Sequence, residues 1–385
     1  MIRSAGEYRV IQVEGAEARA FVPNPLPPAD PPLELDAAMV ELHSAAAIAL
    51  AKLELAGAMV PSADWFLYGF VRKEAVITSQ IEGTQATLRD VLEFETTHEA
   101  ERPEDIEEVC NYVEALNYAR RELKRDPTLP IDAQFLCGIH ERLMQGARGA
   151  DKAPGRIRTT QNWIGGPSPD KAIYVPPPHE EVDGALKDFE GWIQSDDPLP
   201  PLVRAGLAHV QFESIHPFLD GNGRIGRLLV ALLAEKWGLL DQPILYLSVA
   251  FKRRQTEYYE HLMAVRTRGN WERWTRFFLE CVREAADDGI AAAKAIHAAL
   301  RRDRDRIVSH DRATVAAIQL LDLLPTTPFI TVAKASELLE LTAPPARKAI
   351  ELLEDLGVLH ETTGKQRDRV YAYQEYLQIL AEERQ

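Results

Sequence analysis

The sequence lacks the marks of several large protein classes. It has only three cysteines in 385 residues, Cys110, Cys137 and Cys281, too few and too scattered for a disulfide framework or a CxxC zinc site. No segment approaches the roughly 18 uncharged apolar residues that span a bilayer, and the start of the chain lacks the apolar core of a secretion signal. These absences predict a protein of the reducing cytoplasm with no membrane segment.

The chain also has fewer basic than acidic residues. Acidic residues outnumber basic ones by 59 to 44, which gives a net charge of −15. Such a balance disfavours broad, non-specific binding to nucleic acid, although it leaves room for a small local binding surface. With 46% hydrophobic and 27% charged residues the chain can build packed cores, and its length predicts two or three units rather than one.

Four segments follow from the patterning. Residues 1–35 are too rich in proline to be helical and predict an extended arm lying on the body. Residues 36–125 form a predicted N-terminal helical region, and residues 126–300 a predicted core, because their apolar residues recur at intervals of three and four. Residues 301–385 are predicted to form a separate unit. The sequence therefore predicts a mostly α-helical fold.

Residues 151–178 interrupt the helical pattern. Glycine, proline and threonine separate two short runs rich in β-branched or aromatic residues, 156–160 and 172–175. This texture predicts a small β-hairpin flap.

The last segment has its own order of elements. A helix is predicted over 314–323, two helices separated by a tight turn over 332–339 and 343–356, and a hairpin over 360–373. Helix, helix-turn-helix and hairpin is the order of a winged helix.

The most informative segment is 216–227, which reads HPFLDGNGRIGR. Gly221 and Gly223 allow successive backbone amides to converge on a ligand, and because the turn opens a helix, the helix dipole favours a negative charge there. Phosphate is the natural ligand of such a turn. His216 just before it could take a proton from an incoming hydroxyl group.

The charged residues of this segment suit the same ligand. Asp220 is a hard oxygen ligand of the kind that binds Mg²⁺ bridging phosphates. Arg224 and Arg227 can each donate two hydrogen bonds to phosphate oxygens. The segment thus predicts a phosphate site with a base beside it.

Three other interpretations are open. The glycines spell the GxGxxG dinucleotide fingerprint, but the preceding residues have helical spacing where that motif needs a strand. His209, His216 and Asp220 could bind a transition metal, but Pro217 breaks any single helix through them, so their spacing is no evidence of a shared face. A plain glycine turn capped by surface arginines would explain the glycines and one arginine, but not the histidine, the carboxylate and the second arginine together.

The segment resembles the HPFx(D/E)GNGRxxR signature of Fic-domain proteins at every specified position. The resemblance extends to residues 208–215, 154–158, 257–259 and 270–274, and covers most of the chain up to about residue 284. It implies a Fic-type helical core, with a C-terminal winged helix as in some members. Most such proteins are adenylyltransferases that move AMP from ATP to a protein hydroxyl group.

The resemblance also implies residue roles. His216 would be the catalytic base and Asp220 the Mg²⁺ ligand, while Arg227 would bind the γ-phosphate. Gln255, Tyr258 and Tyr259 are candidates for contact with adenine, and the other interpretation is aromatic packing between helices. The residues expected to bind ATP are Phe218, Leu219, Asp220, Gly221, Asn222, Gly223, Arg224, Arg227, Glu82, Glu213, Gln255 and Tyr258.

A second motif, TSQIEGT at 78–84, resembles the inhibitory sequence (S/T)xxxE(G/N) of this family. Its regulatory residues would be Thr78, Glu82 and Gly83. A Glu82 carboxylate paired with Arg227 would occupy the arginine that should hold the γ-phosphate, and the motif's position ahead of the core is typical of the class with an N-terminal inhibitory helix. Because the same glutamate is associated in some relatives with AMP removal, a deAMPylase is an alternative function. The other interpretation is an ordinary glutamate beside a helix-ending glycine.

The partners are less closely defined. The flap is a predicted docking edge for an extended target segment, and Thr159 and Thr160 are candidate self-modification sites. Self-association as a homodimer is expected. Residues 301–385 contain twelve basic and fourteen acidic residues, a net charge of −2, so DNA binding is possible but not favoured. The rival function is a DNA-binding transcriptional regulator whose core senses a nucleotide.

Overall fold

The computed structural model describes residues 3–13, 15–59, 63–146, 149 and 151–382. Helices form most of this part of the chain, as predicted. The helices that precede the C-terminal segment are α1 (Ala37–Met59), α2 (Ala63–Ile81), α3 (Leu88–Thr97), α4 (Pro103–Arg125), α5 (Ala133–Leu143), α6 (His179–Ile193), α7 (Pro201–Ile215), α8 (Asn222–Lys236), α9 (Leu247–Arg253), α10 (Gln255–Arg268) and α11 (Trp271–Val308). No helix in the described ranges is long and apolar enough to cross a bilayer.

Helix α7 lies at the centre of the core. Every residue from Leu202 to Ile215 is buried, so the helix has no polar face turned to solvent. It packs against α6, α8, α10 and α11, while α1 lies along α11. The loop that follows α7 is therefore anchored on a helix that is buried along almost its whole length.

The N-terminal arm contains a β-hairpin that the sequence analysis missed. Strands β1 (Gly6–Val13) and β2 (Ala16–Pro23) pair antiparallel along their whole length. The hairpin reaches the flap because the Phe21 N–H donates to the Val175 carbonyl at 2.9 Å. Arg3 ties the start of the arm to Glu272 by a salt bridge of 2.7 Å.

The predicted hairpin at 151–178 is corrected to a single β-bridge, between Ile164 and Tyr174. The predicted strand at 156–160 does not form. Instead, the Arg158 N–H donates to the Pro217 carbonyl at 2.9 Å. This backbone therefore bonds to the loop after α7 and not to a partner strand.

The C-terminal segment has the predicted order of elements, and its assignment as a winged helix stays a prediction. Its elements are α12 (Val315–Leu323), β3 (Phe329–Ile330), α13 (Val332–Leu338), α14 (Ala343–Asp355), β4 (His360–Glu361), β5 (Tyr371–Ala372) and α15 (Gln374–Ala381). The strands form an antiparallel sheet in the order β3-β5-β4. Helix α11 runs unbroken across residue 300, where the segment was predicted to begin, because its buried stripe continues through Leu300, Asp303 and Ile307.

Candidate active site

The loop between α7 and α8 is held in part by its own residues. His216 ends α7 in a left-handed conformation (φ 51°), with its N–H donating to the Phe212 carbonyl at 2.9 Å. Asn222 then closes the loop: its Oδ1 accepts the Phe218 N–H at 2.9 Å and its Nδ2 donates to the Phe218 carbonyl at 2.8 Å. Gly221, the N-cap residue just before α8, has φ 77°, a conformation that favours glycine.

The start of α8 is an anion-binding site in its geometry. The first backbone bond of the helix runs from the Ile225 N–H to the Gly221 carbonyl at 3.0 Å, so the amides ahead of it lie at the positive end of the helix dipole. A Cβ atom on Gly223 would lie only 2.2 Å from Oε1 of Glu82. A carboxylate therefore already rests against this helix start, where a phosphate oxygen would be stabilised in the same way.

The inhibitory-type motif and Arg227 meet at this point. Arg227 donates from Nε to Oγ1 of Thr78 at 2.6 Å and from Nη2 to Oε1 of Glu82 at 2.5 Å. The Arg227 side chain is 1% exposed and that of Glu82 is 35% exposed. Gly83 follows with φ 104° and ends the helix that carries the motif. Two segments 145 residues apart in the sequence thus form one ion pair.

Arg224 has a carboxylate partner that the sequence analysis missed. Its Nη1 donates to Oε1 of Glu108 on α4 at 2.6 Å, and its Nη2 lies 3.7 Å from Oδ1 of Asp220. The same Glu108 oxygen accepts a hydrogen bond from Oγ1 of Thr84 at 3.0 Å. These side chains line a pocket of about 370 Å³ together with Glu82. No local motif marks Glu108, because α4 carries glutamates at several neighbouring positions.

The surroundings of His216 favour the neutral imidazole. Its Nδ1 is buried without a hydrogen-bond partner among the described residues, and its backbone carbonyl accepts from Nε of Arg158 at 2.9 Å. Burial, with the nearby cations of Arg266 and Arg158, lowers the pKa of His216 to about 3. The ring is therefore unprotonated at neutral pH.

Phe218 lies beneath the loop. It is fully buried and stacks flat on His140 of α5, with ring centroids 3.9 Å apart and planes 4° apart. The sequence analysis gave no role to His140 or Arg158. Arg158 lies in the segment 154–158 that shares the family resemblance, which was the available signal for it, whereas no sequence pattern marks His140.

Other predicted binding residues lie in the core. Glu213 is buried against Gly226, and burial raises the pKa of its carboxyl to about 7. Tyr258 is buried and its hydroxyl lies 2.9 Å from Nε2 of His209. Gln255 bonds through Nε2 to the Ile81 carbonyl at 3.4 Å. The structure thus does not bring Glu213 and Tyr258 to the open side of the loop, whereas Leu219 is half-buried there.

The geometry also decides between the other interpretations. The dinucleotide fingerprint fails because the residues before the loop form the helix α7 and not a strand. The transition-metal interpretation fails because His209 is engaged with Tyr258 and stacks on Trp274. Among the described residues no three His, Cys, Asp or Glu side chains form a group that could hold a metal ion.

The chain is similar to known proteins of one family. Residues 40–121 match the Fic/DOC family N-terminal model and residues 130–234 match the Fic/DOC family model. The chain is similar to "Protein adenylyltransferase Fic" of Nematostella vectensis (29% identity over 240 residues, 61% of this chain and 52% of the relative) and of Drosophila grimshawi (28% over 212 residues, 54% and 40%). It therefore spans about half the length of the curated relatives it matches.

Solved structures share the fold. A Fic family protein from Desulfovibrio desulfuricans G20 superposes with a TM-score of 0.59 at 21% identity, over 89% of this chain and 98% of that one. A fragment of Fic-1 from C. elegans superposes with a TM-score of 0.51 at 24% identity, over 66% and 72%.

Proposed function

This chain belongs to the Fic/DOC family, and from that premise we propose that it is a protein adenylyltransferase, which transfers AMP from ATP to a hydroxyl group of a target protein. The observation that carries the proposal is the position of His216 at the end of α7, beside an anion-binding helix start that also holds Arg224 and Arg227. The name of the curated relatives supports it.

The proposed reaction is a displacement at the α-phosphorus. The target hydroxyl oxygen forms a bond to this phosphorus while the bond to the bridging oxygen breaks, so pyrophosphate leaves. The hydroxyl proton passes to His216. The amides at the start of α8 and the two arginines stabilise the charge on the phosphates, and most of the rate enhancement comes from such positioning and charge stabilisation.

Asp220 fits the predicted Mg²⁺. Its side chain is 49% exposed and its Oδ1 lies 3.7 Å from Arg224, beside the phosphate site. Magnesium is often bound by one or two carboxylates together with substrate phosphates, which is the donor set offered here. When bound, the ion would neutralise charge on the phosphates, and Asp220 would hold it.

Glu82 is the proposed brake. Its carboxylate accepts a hydrogen bond from Arg227 and lies against Gly223 at the helix start, where a γ-phosphate would need both the arginine and the space. ATP could then bind only in an unproductive position. Glycine at position 82 removes the carboxylate and frees both the arginine and the space.

Label transfer from α-labelled ATP with Mg²⁺ tests the function. The variants are Glu82→Gly, His216→Ala and the double variant, with the protein itself and a lysate as acceptors. We expect labelling to rise at least about tenfold in Glu82→Gly, as one charged hydrogen bond is removed, and to vanish in the double variant. Glu235→Gln is the matched control, because Glu235 forms a comparably buried pair with Arg120 outside the site. No label in any variant that binds ATP would overturn the transferase proposal.

The reverse reaction is the second candidate, and the position of Glu82 favours it. A partly exposed carboxylate inside the phosphate site could activate a water molecule against an AMP-modified side chain. The test uses protein labelled by the Glu82→Gly variant. Loss of label on adding the unmodified chain, but not on adding Glu82→Gln, would identify AMP removal.

The flap is the proposed docking edge for the target. Ile173, next to the bridge residue Tyr174, is 70% exposed although it is a large apolar side chain. An extended target segment could add alongside it and present its hydroxyl group to His216. Ile173→Asp should then reduce labelling of the target without reducing ATP binding.

A further inference from the structure

His140 joins the loop to the neighbouring chain at three points. Its ring lies flat on Phe218, its Nε2 is 3.1 Å from the Asp220 carbonyl oxygen, and the Gly155 N–H donates to its Nδ1 at 3.0 Å. The residue is fully buried in α5, 80 positions before Asp220. No other described side chain stacks on the loop and also bonds to its backbone.

The hydrogen bond from Gly155 decides which ring nitrogen carries the proton. A backbone N–H only donates, so Nδ1 must accept. The neutral ring then carries its proton on Nε2 and donates it to the Asp220 carbonyl. His140 is thus held from both sides in a single tautomer.

This donation fixes the plane of the Asp220–Gly221 peptide. In a planar trans peptide the C=O and N–H bonds point in opposite directions. With the carbonyl held towards α5, the Gly221 N–H points away from it, into the loop, where Oδ1 of Asp220 accepts it at 2.5 Å. One histidine therefore sets the direction of an amide that opens the anion site.

The peptide needs to be held because glycine follows it. Gly221 sits at φ 77°, and glycine accepts both signs of φ, so its preceding peptide can rotate at low cost. Rotation would turn the N–H away from the phosphate site and replace it with a carbonyl oxygen. An oxygen there would repel the phosphates.

We propose that His140 is a positioning residue for nucleotide binding, which holds the Asp220–Gly221 peptide so that the Gly221 N–H, bonded to Oδ1 of Asp220, stays on the phosphate side of the loop. The proposal rests on the proposed function for the identity of the ligand. His140 itself touches no reacting atom.

Two substitutions separate the hydrogen bond from the packing. His140→Gln keeps a side-chain N–H that can reach the Asp220 carbonyl but loses the stacked ring. His140→Phe keeps the stacked ring on Phe218 but loses the donor. His261→Phe is the control, since it exchanges another buried histidine, one that packs on Phe277 away from the loop.

The measurements are ADP and adenosine affinity by calorimetry, and hydrogen exchange of the peptide 216–224 without ligand. We expect ADP affinity to fall about tenfold or more in His140→Phe, because a peptide that is free to rotate no longer keeps an N–H directed at the charged phosphate, and to fall less in His140→Gln. Adenosine affinity should not change, because adenosine has no phosphate. Exchange should accelerate in the phenylalanine variant only.

The opposite order, with His140→Phe binding ADP better than His140→Gln, would overturn the proposal and assign His140 to packing. Equal losses for ADP and adenosine would also overturn it. The transferase proposal is decided separately by label transfer. If no variant transfers label while exchange and ADP binding follow the expected order, the function fails and the positioning role stands.

Discussion

Replacing Glu108 by glutamine tests whether the apo protein holds its second arginine away from the phosphates. Arg224 and Glu108 are joined at 2.6 Å, and their side chains are 6% and 13% exposed. A hydrogen bond between charged groups contributes about 1.5–3 kcal/mol. If the phosphates must displace Glu108, that energy opposes nucleotide binding.

The expected result has two parts. ADP affinity should rise about tenfold or more in Glu108→Gln, because each 1.4 kcal/mol is a factor of ten in affinity. The ligand-free protein should melt at a lower temperature, since Arg224 is left buried without its partner. ADP should then raise the melting temperature of the variant more than that of the unmodified chain, because phosphate oxygens take the place of the lost carboxylate.

Calorimetry and thermal melts with and without ADP make the measurement, and Glu235→Gln again serves as control. The control pair, Arg120 with Glu235, has side chains 13% and 18% exposed and lies outside the site. It should lower the melting temperature and leave ADP affinity unchanged. Unchanged or weaker ADP binding in Glu108→Gln would refute the reasoning and show that Glu108 helps to orient Arg224 in the bound state.

Three further predictions concern stability, the helix start and DNA. Burial raises the pKa of the Glu213 carboxyl to about 7 in the folded protein. Its contribution to stability is therefore present below the unfolded pKa near 4.5 and is lost as the pH rises through 7. In urea melts, Glu213→Gln should gain stability relative to the unmodified chain between pH 5 and 8, and a stability difference that does not change with pH would contradict this. Gly223→Ala places a Cβ atom 2.2 Å from Oε1 of Glu82. It should lower ADP affinity, measured by calorimetry, even when combined with Glu82→Gly. Full recovery of ADP affinity in the double variant would show that the alanine disturbs only Glu82. Because residues 301–385 have a net charge of −2, we expect no retardation of duplex DNA at physiological salt, and a salt-dependent shift would revive the regulator hypothesis.

The chemistry of the loop could be predicted from the sequence because it is contiguous. The base, the carboxylate, the glycine turn and the two arginines lie within twelve positions, and the residues that hold the loop in shape, such as Asn222, bond within the same segment. Helix α5 was predictable for a similar reason, since its apolar spacing and its Asp132 cap are local. The pairing of Glu82 with Arg227 was expected only from the resemblance to a family motif.

The burial of other candidate residues could not be predicted from the sequence. Glu213 and Tyr258 have side chains suited to ligand contacts, but the helices around them place both in the core. In the flap, β-branched residues predicted a strand that is absent, because Arg158 bonds to the loop after α7. The hairpin at β1 and β2 was missed because proline further along the arm dominated the interpretation.

Composition, helix spacing and one contiguous motif were enough to determine the mostly helical class and to predict a phosphate site. The tertiary structure alone decided which distant side chains complete the site: Glu108 on Arg224 from 116 residues away, His140 on the Asp220 carbonyl from 80, and Arg158 on the His216 carbonyl from 58. A motif records what bonds along the chain. These three contacts exist only because α4, α5 and the segment after α5 pack around α8 and the loop, and no local pattern carries that packing.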